Sequence, residues 1–284
     1  MTIKDALHEG RTYLRPSTQT FALDAELLLA FTLKKDREFL LAHSDEKITE
    51  SNSKKFHNLL IARYRGVPVP YLTGNKEFFG KKFIVNNSVL VPRPETEAIV
   101  EETIKILSSE SLKRLIVADI GTGSGVIAVS VAVEFPKAQV IATDRSRSAL
   151  RVAQRNAKRF RAAKRIVFYE SDLLNEIPEP IAPSIIVANL PYITSDDLKN
   201  ADQHPDTKGL TFEPQGALDG GPDGLAIFRR FFAQIKRLDH IRNNVEFLIL
   251  EHNPKQKRQL SEMVYEILPN FKPQQITQFV TRWN

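Results

Sequence analysis

The stretch 115-LIVADIGTGSG-125 decides how this chain folds. Leu115 to Ile120 form an apolar run broken only by Asp119, and glycine follows at 121, 123 and 125. Such a run, ending at once in a glycine-rich turn, reads as a buried strand that delivers bare backbone to a ligand. A helix is expected to start after Gly125. The turn is not a P-loop, because no Lys-Ser or Lys-Thr pair follows the glycines. Its G-x-G-x-G spacing also departs from the dinucleotide fingerprint. Asp119, just before the turn, would repel a pyrophosphate, so the expected ligand is cationic there.

Downstream, apolar strands alternate with helical stretches. VIAT (140–143), RIVFYE (165–170), SIIVAN (184–189) and EFLILE (246–251) read as strands. The segments after Asp144, at 223–237 and at 254–268 read as helices. That alternation predicts an α/β sheet covered on both faces. Upstream, residues 2–65 read as helical, with helices near 3–14, from a cap at Asp24, at 36–42 and at 49–64. The Pro- and Gly-rich 66-GVPVPYLTGNKEFFG-80 breaks that pattern. FFGKKFIVNNSVLV then offers two β-prone runs around the turn signal Asn86-Asn87. Pro94 suits the first turn of a new helix. The expected organisation is a helical domain over 1–74, a junction with a β-hairpin over 75–93, and a catalytic domain over 94–284.

Composition narrows the field. The chain has 284 residues, 42% hydrophobic and 26% charged, enough for a sizeable core. It has no cysteine, which excludes disulfides and thiolate chemistry. No apolar run is long enough to span a bilayer, and the first residues lack a signal-peptide core, so a cytoplasmic protein without membrane contact is expected. The net charge of +6 is concentrated in 145–165, which holds nine Lys or Arg and no acid. Ala149, Ala153, Ala157 and Phe160 form an apolar stripe opposite Arg151, Arg155 and Lys158. The segment therefore reads as a solvated helix face before it reads as an RNA-docking patch.

Two further carboxylates stand at strand ends beside the glycine loop. Asp144 lies about 20 residues beyond the loop, where a carboxylate can accept from both hydroxyls of a ribose. Ser171-Asp172-Leu173 closes the next strand, where Asp172 could accept from an adenine amino group and Leu173 could pack on the ring. One acid at a strand end is commonly a helix cap. Three in succession fit S-adenosylmethionine, which carries a sulfonium and an ammonium. The fold class expected is a Rossmann-like, seven-stranded S-adenosylmethionine-dependent methyltransferase domain, preceded by a small all-α domain and a linking β-hairpin. The cofactor set read here is Asp119, Gly121, Thr122, Gly123, Ser124, Gly125, Asp144, Asp172 and Leu173. The product would be S-adenosylhomocysteine, and no metal is expected.

The fourth strand ends in Asn189-Leu190-Pro191-Tyr192. An amide nitrogen is a poor nucleophile because its lone pair is delocalised. Acceptors on its two N–H groups would hold it in place, and the Asn189 oxygen and the Leu190 carbonyl are suitable. Pro191 stiffens the turn, and Tyr192 offers a flat face to a planar amide or base.

With these residues the chain resembles the HemK/PrmC protein-glutamine methyltransferases, which modify the Gly-Gly-Gln loop of peptide-chain release factors. Arg65-Gly66-Val67-Pro68, Val89-Leu90-Val91-Pro92-Arg93-Pro94-Glu95-Thr96-Glu97, Asp119–Gly125, the run Glu213–Leu225 and Leu250-Glu251 carry the likeness along nearly the whole chain. The resemblance implies that Gly121–Gly125, Asp144, Leu173 and Asn189 contact the cofactor. It implies that Asn189, Leu190, Pro191 and Tyr192 hold the substrate glutamine. It also implies that the run 213–225 shapes the acceptor pocket and that the helical domain helps grip a release factor. A monomer that needs no direct nucleic-acid contact is expected. Three departures stand out. Leu190 replaces the family's first proline, Asn253 replaces a glycine, which a left-handed backbone would tolerate, and the final ITQFVTRWN lacks the usual Asp and Gly. Glutamine methylation of a ribosomal protein remains an alternative. So does rRNA adenine methylation, whose enzymes share the Asn-Leu-Pro-Tyr pattern.

Overall fold

A computed structural model describes residues 1–109, 112, 114–203 and 207–284. The chain divides into two compact units, Met1–Asn75 with Lys199–Glu213, and Lys76–Leu198 with Pro214–Asn284. The sequence reading placed 199–213 with the catalytic part, whereas the fold groups it with the helical one.

The first unit is built from α1 (Ile3–Leu14), α2 (Phe21–Leu33), α3 (Arg37–Ala42), α4 (Glu50–Tyr64) and α5 (Val69–Thr73). Thr2 and Asp5 form a reciprocal capping box that starts α1. Leu7, Leu14, Leu28, Leu29, Phe56 and Leu60 fill the core between these helices. Asp24 is not the cap the sequence suggested. The second helix starts earlier, at Phe21, and Asp24 is buried one turn inside it, 2.7 Å from the Arg63 guanidinium. A buried carboxylate needs such a partner.

The second unit opens with a hairpin, β1 (Asn75–Phe78) and β2 (Lys81–Ile84). Its turn is Phe79-Gly80, at φ +50° and +65°, not Asn86-Asn87. Two successive left-handed residues match the twist of tightly joined strands. Then come α6 (Glu97–Leu107), β3 (Ile116–Ile120), α7 (Val126–Glu134), β4 (Gln139–Asp144), α8 (Arg147–Arg159), β5 (Ile166–Glu170) and β6 (Ile185–Asn189). The chain continues through α9 (Ser195–Lys199), α10 (Ala226–Arg237), α11 (Asp239–Arg242), β7 (Phe247–Glu251), α12 (Lys257–Ile267), β8 (Pro273–Gln275) and β9 (Val280–Trp283).

Seven strands form one sheet in the order β5-β4-β3-β6-β7-β9-β8. The first five are parallel, and β9 and β8 run antiparallel at one edge. Side chains alternate between the faces. Val117, Ile185, Val187 and Ile249 pack with α6 and α7, while Ala118, Ile120, Ile186, Ala188, Leu248 and Leu250 pack with α10 and α12. The divergent C-terminal stretch still forms the last hairpin and buries Trp283 completely. Asn253 is not left-handed. At φ −66° it caps the turn Pro254–Gln256 through a reciprocal bond with Gln256. No helix among the described residues is long and apolar enough to cross a membrane.

Candidate functional site

The strand order reverses beside β3. The chain runs from β3 outward to β4 and β5, then returns to β6 on the other side. Open α/β sheets leave a crevice at the C-terminal strand ends at such a point. Here the crevice is a cavity of about 310 Å³, in the range for small-molecule sites. Its walls come from Gly121–Ser124, Asp144, Asp172, Leu173 and the strand end Asn189-Leu190-Pro191, with Arg93 and Thr96 from the run before α6 and Pro214, Gly216 and Ala217 from a later loop.

The glycine loop is pinned by its neighbours. Gly121 and Thr122 donate their N–H groups to the Thr143 carbonyl at 2.9 and 2.8 Å. The Asp144 carboxylate accepts from the N–H of Gly123 at 2.9 Å and of Ser146 at 2.8 Å. Burial pushes its pKa up, and these two N–H groups oppose that shift. From α8, the buried Asn156 amide donates to the Ser124 carbonyl and exchanges hydrogen bonds with Ile84. Asp172 reaches the cavity wall with its carboxylate held at 2.5 Å by Arg230.

Asp119, Gly125 and Tyr192 are not brought to the cavity wall. Alternation along β3 turns Asp119 toward α7, where its Oδ2 accepts from the Thr122 hydroxyl at 2.6 Å and the Ala128 N–H at 3.1 Å. Its other oxygen is buried without a partner among the described residues. The carboxylate therefore stitches the loop to the helix and does not present its charge to the cavity wall. Burial pushes its pKa up from 3.8 to about 7.

A buried acid with a raised pKa contributes stability that is fully present below the unfolded pKa, near 3.8, and is lost as pH rises through about 7. Asp119→Asn removes that titration and keeps an oxygen for Thr122 and Ala128. Its stability relative to the wild type is expected to improve between about pH 5 and pH 8, by at most about 3 kcal/mol. Urea unfolding at both pH values measures this; an unchanged difference would refute the buried-acid reading.

On the other side of the crevice, β6 and β7 are in parallel register with Asn189 opposite Glu251. Both side chains fall on the α6 face, where Thr96 stands just before the helix and makes no capping hydrogen bond with it. The Thr96 hydroxyl donates to Glu251 Oε2 at 2.6 Å and accepts from Asn189 Nδ2 at 3.0 Å. The Tyr192 hydroxyl donates to Glu251 Oε1 at 3.2 Å. Burial raises the pKa of Glu251, opposed by the hydrogen bonds from Thr96 and Tyr192. Burial and the adjacent Glu251 raise that of Tyr192. Tyr192 is thus a prop under the turn. Leu190 supplies more than a carbonyl, because its side chain is 2% exposed and belongs to the core cluster under the sheet.

The chain matches two family models, the PrmC N-terminal domain over residues 5–74 and the methyltransferase small domain over 101–203. It is 36% identical over 250 residues to the release factor glutamine methyltransferase of Koribacter versatilis, covering 88% of this chain and 86% of that one. It is 35% identical over 264 residues to that of Coxiella burnetii, covering 93% and 90%. The chain belongs to the family of release factor glutamine methyltransferases. Among solved structures, the human METTL16 catalytic domain with a MAT2A RNA hairpin superposes at a TM-score of 0.59, with 13% identity and 90% of each chain covered. That likeness bears on the fold alone.

The resemblance read from the motifs is borne out, and so is the α/β methyltransferase fold. Thr96, Glu251 and Arg93 had no stated place in the site from the sequence alone. Thr96 and Arg93 lie in the Pro-Arg-Pro-Glu-Thr-Glu run, which carried the family likeness without a stated role. Glu251 had a local signal: an acid ends the apolar strand EFLILE beside a strand that ends in Asn189.

Proposed function

We propose that this protein transfers a methyl group from S-adenosylmethionine to the side-chain amide nitrogen of the glutamine in the Gly-Gly-Gln loop of peptide-chain release factors. The observation that carries this reading is the state of the Asn189 amide. Its Nδ2 is engaged by Thr96, and its Oδ1 has no partner among the described residues, in a side chain that lines the cavity. An acceptor held there suits a substrate N–H group.

The cavity wall fits the cofactor. A Cβ at Gly123 would meet nothing within 4 Å, so the glycine leaves open space beside the loop. Both Asp144 oxygens already accept one N–H each and retain a lone pair for ribose hydroxyls. Leu173 and Ile227 supply apolar surface for a ring. Asp172, already held by Arg230, has an oxygen left for an adenine amino group. When bound, S-adenosylmethionine supplies an electrophilic methyl group on a sulfonium.

The residues of the chain supply position. Asn189 Oδ1 and the Leu190 carbonyl accept the two amide protons of the substrate, which aligns the nitrogen for in-line attack. The leaving proton needs no strong base, because it becomes acidic once the nitrogen is alkylated. Pro191 fixes the turn that presents both acceptors.

The test is transfer of labelled methyl from S-adenosylmethionine to three acceptors: a release factor, its Gln→Ala loop variant, and rRNA. Label on the first alone is expected. Label on rRNA and none on the release factor would overturn the proposal in favour of base methylation.

A further inference from the structure

We infer that Thr96 and Glu251 are positioning residues that set which end of the Asn189 amide faces the acceptor, an inference that rests on the proposed glutamine transfer. The assignment follows from counting protons. Thr96 has one hydroxyl proton, and Glu251 Oε2 lies 2.6 Å away. A carboxylate can only accept, so that proton is committed to it. The Thr96 oxygen then has only lone pairs to offer Asn189, 3.0 Å away, and the amide must turn its NH₂ group toward Thr96. The oxygen of Asn189 is left for the substrate. Glu251 therefore acts through a hydroxyl that can point only one way, and as a carboxylate beside Asn189 it also draws the amide NH₂ group toward itself.

A bland role for Glu251 does not account for its setting. It is 1% exposed and makes no ion pair with any described residue. An unpaired carboxylate costs several kcal/mol to bury, and a packing role would be met better by leucine or methionine. The hydroxyls of Thr96 and Tyr192 donate to it, and the Asn189 amide also lies within its reach. What a carboxylate adds over an amide here is that both oxygens refuse to donate. With Glu251→Gln, one of the two hydroxyls faces an NH₂ group. When that hydroxyl is Thr96, its proton is released toward Asn189 and the amide can flip. Register makes the chain possible: β6 and β7 set Asn189 beside Glu251, and the first residue before α6 lies over both.

The test is a set of variants read in turnover with a release factor and in S-adenosylmethionine affinity. Thr96→Val is expected to lower kcat about tenfold or more, with cofactor Kd within about threefold, and Thr96→Ser to restore most of the rate. The Thr96→Val, Glu251→Gln double variant is expected to be no more than about twofold worse than Thr96→Val alone, because both act through one amide. A Val variant with wild-type kcat, a Ser variant as poor as Val, or losses that multiply would each overturn the inference. A second readout needs no substrate. The Asn189 side-chain NH₂ signal in an ¹⁵N spectrum, assigned by its disappearance in Asn189→Ala, is expected to shift in Thr96→Val and in Glu251→Gln. An unmoved signal would overturn the inference even if no release factor is methylated; absence of transfer by the wild type with a shifted signal would instead sink the substrate assignment.

Discussion

Asn189→Ala is expected to lower methyl transfer by about 100- to 1,000-fold, the scale on which loss of one preorganised polar group at a reacting centre is felt. S-adenosylmethionine affinity is expected to stay within about threefold, because the cavity wall also includes the glycine loop, Asp144 and Leu173. The two effects separate because the side chain acts on the acceptor. Without its oxygen, one substrate N–H group goes unmatched and the nitrogen is free to rotate out of line. The fold should tolerate the change: Asn189 ends its strand, and the Thr96 hydroxyl it leaves still donates to Glu251. Turnover is read by labelled methyl transfer and affinity by calorimetry. A variant that keeps its rate would remove Asn189 from the mechanism.

Gly224→Ala is expected to lower stability by about 2–4 kcal/mol and to slow turnover about tenfold, which thermal unfolding and transfer assays would measure. Gly224 sits at φ +72°, and a Cβ there would lie 2.4 Å from the Tyr192 carbonyl oxygen and 2.3 Å from Gln256 Nε2. The Gln256 amide donates to the carbonyls of Tyr192 and Asp223 at 3.1 and 3.3 Å, and so ties the acceptor turn to this loop. The amide could swing away, but the Tyr192 carbonyl is backbone, three residues from Asn189. Any shift there moves the turn. Gly74→Ala separates backbone strain from the clash: its φ is +73° with nothing within 4 Å of the added carbon. It is expected to cost only about 1 kcal/mol and no activity. Equal effects at the two positions would show that the contact with Tyr192 is irrelevant.

The parts of the fold that were legible in the sequence are those with local causes. The alternation of apolar strands and helices follows from burial on both faces. The loop Gly121–Gly125 and the acids at 144 and 172 announce the crevice by standing at strand ends. Signals with two local solutions were misread. Asn86-Asn87 is a good turn pair, but Phe79-Gly80 adopts the left-handed turn, and a phenylalanine at φ +50° carries no sequence signature. Asp24 looked like a cap, but its partner Arg63 is 39 residues away. Asp119 looked like a ligand contact, yet strand alternation turns it to the opposite face from Ala118 and Ile120. Thr96 and Glu251 are 155 residues apart, and only the parallel register of β6 with β7 brings them to Asn189.

The most direct measurement is tandem mass spectrometry of a release factor after incubation with this protein and S-adenosylmethionine. One added methyl group on the side-chain amide of the Gly-Gly-Gln glutamine, absent when Asn189→Ala replaces the wild type, is the predicted result. A methyl group on any other residue, or an unmodified loop after prolonged incubation, would contradict the account.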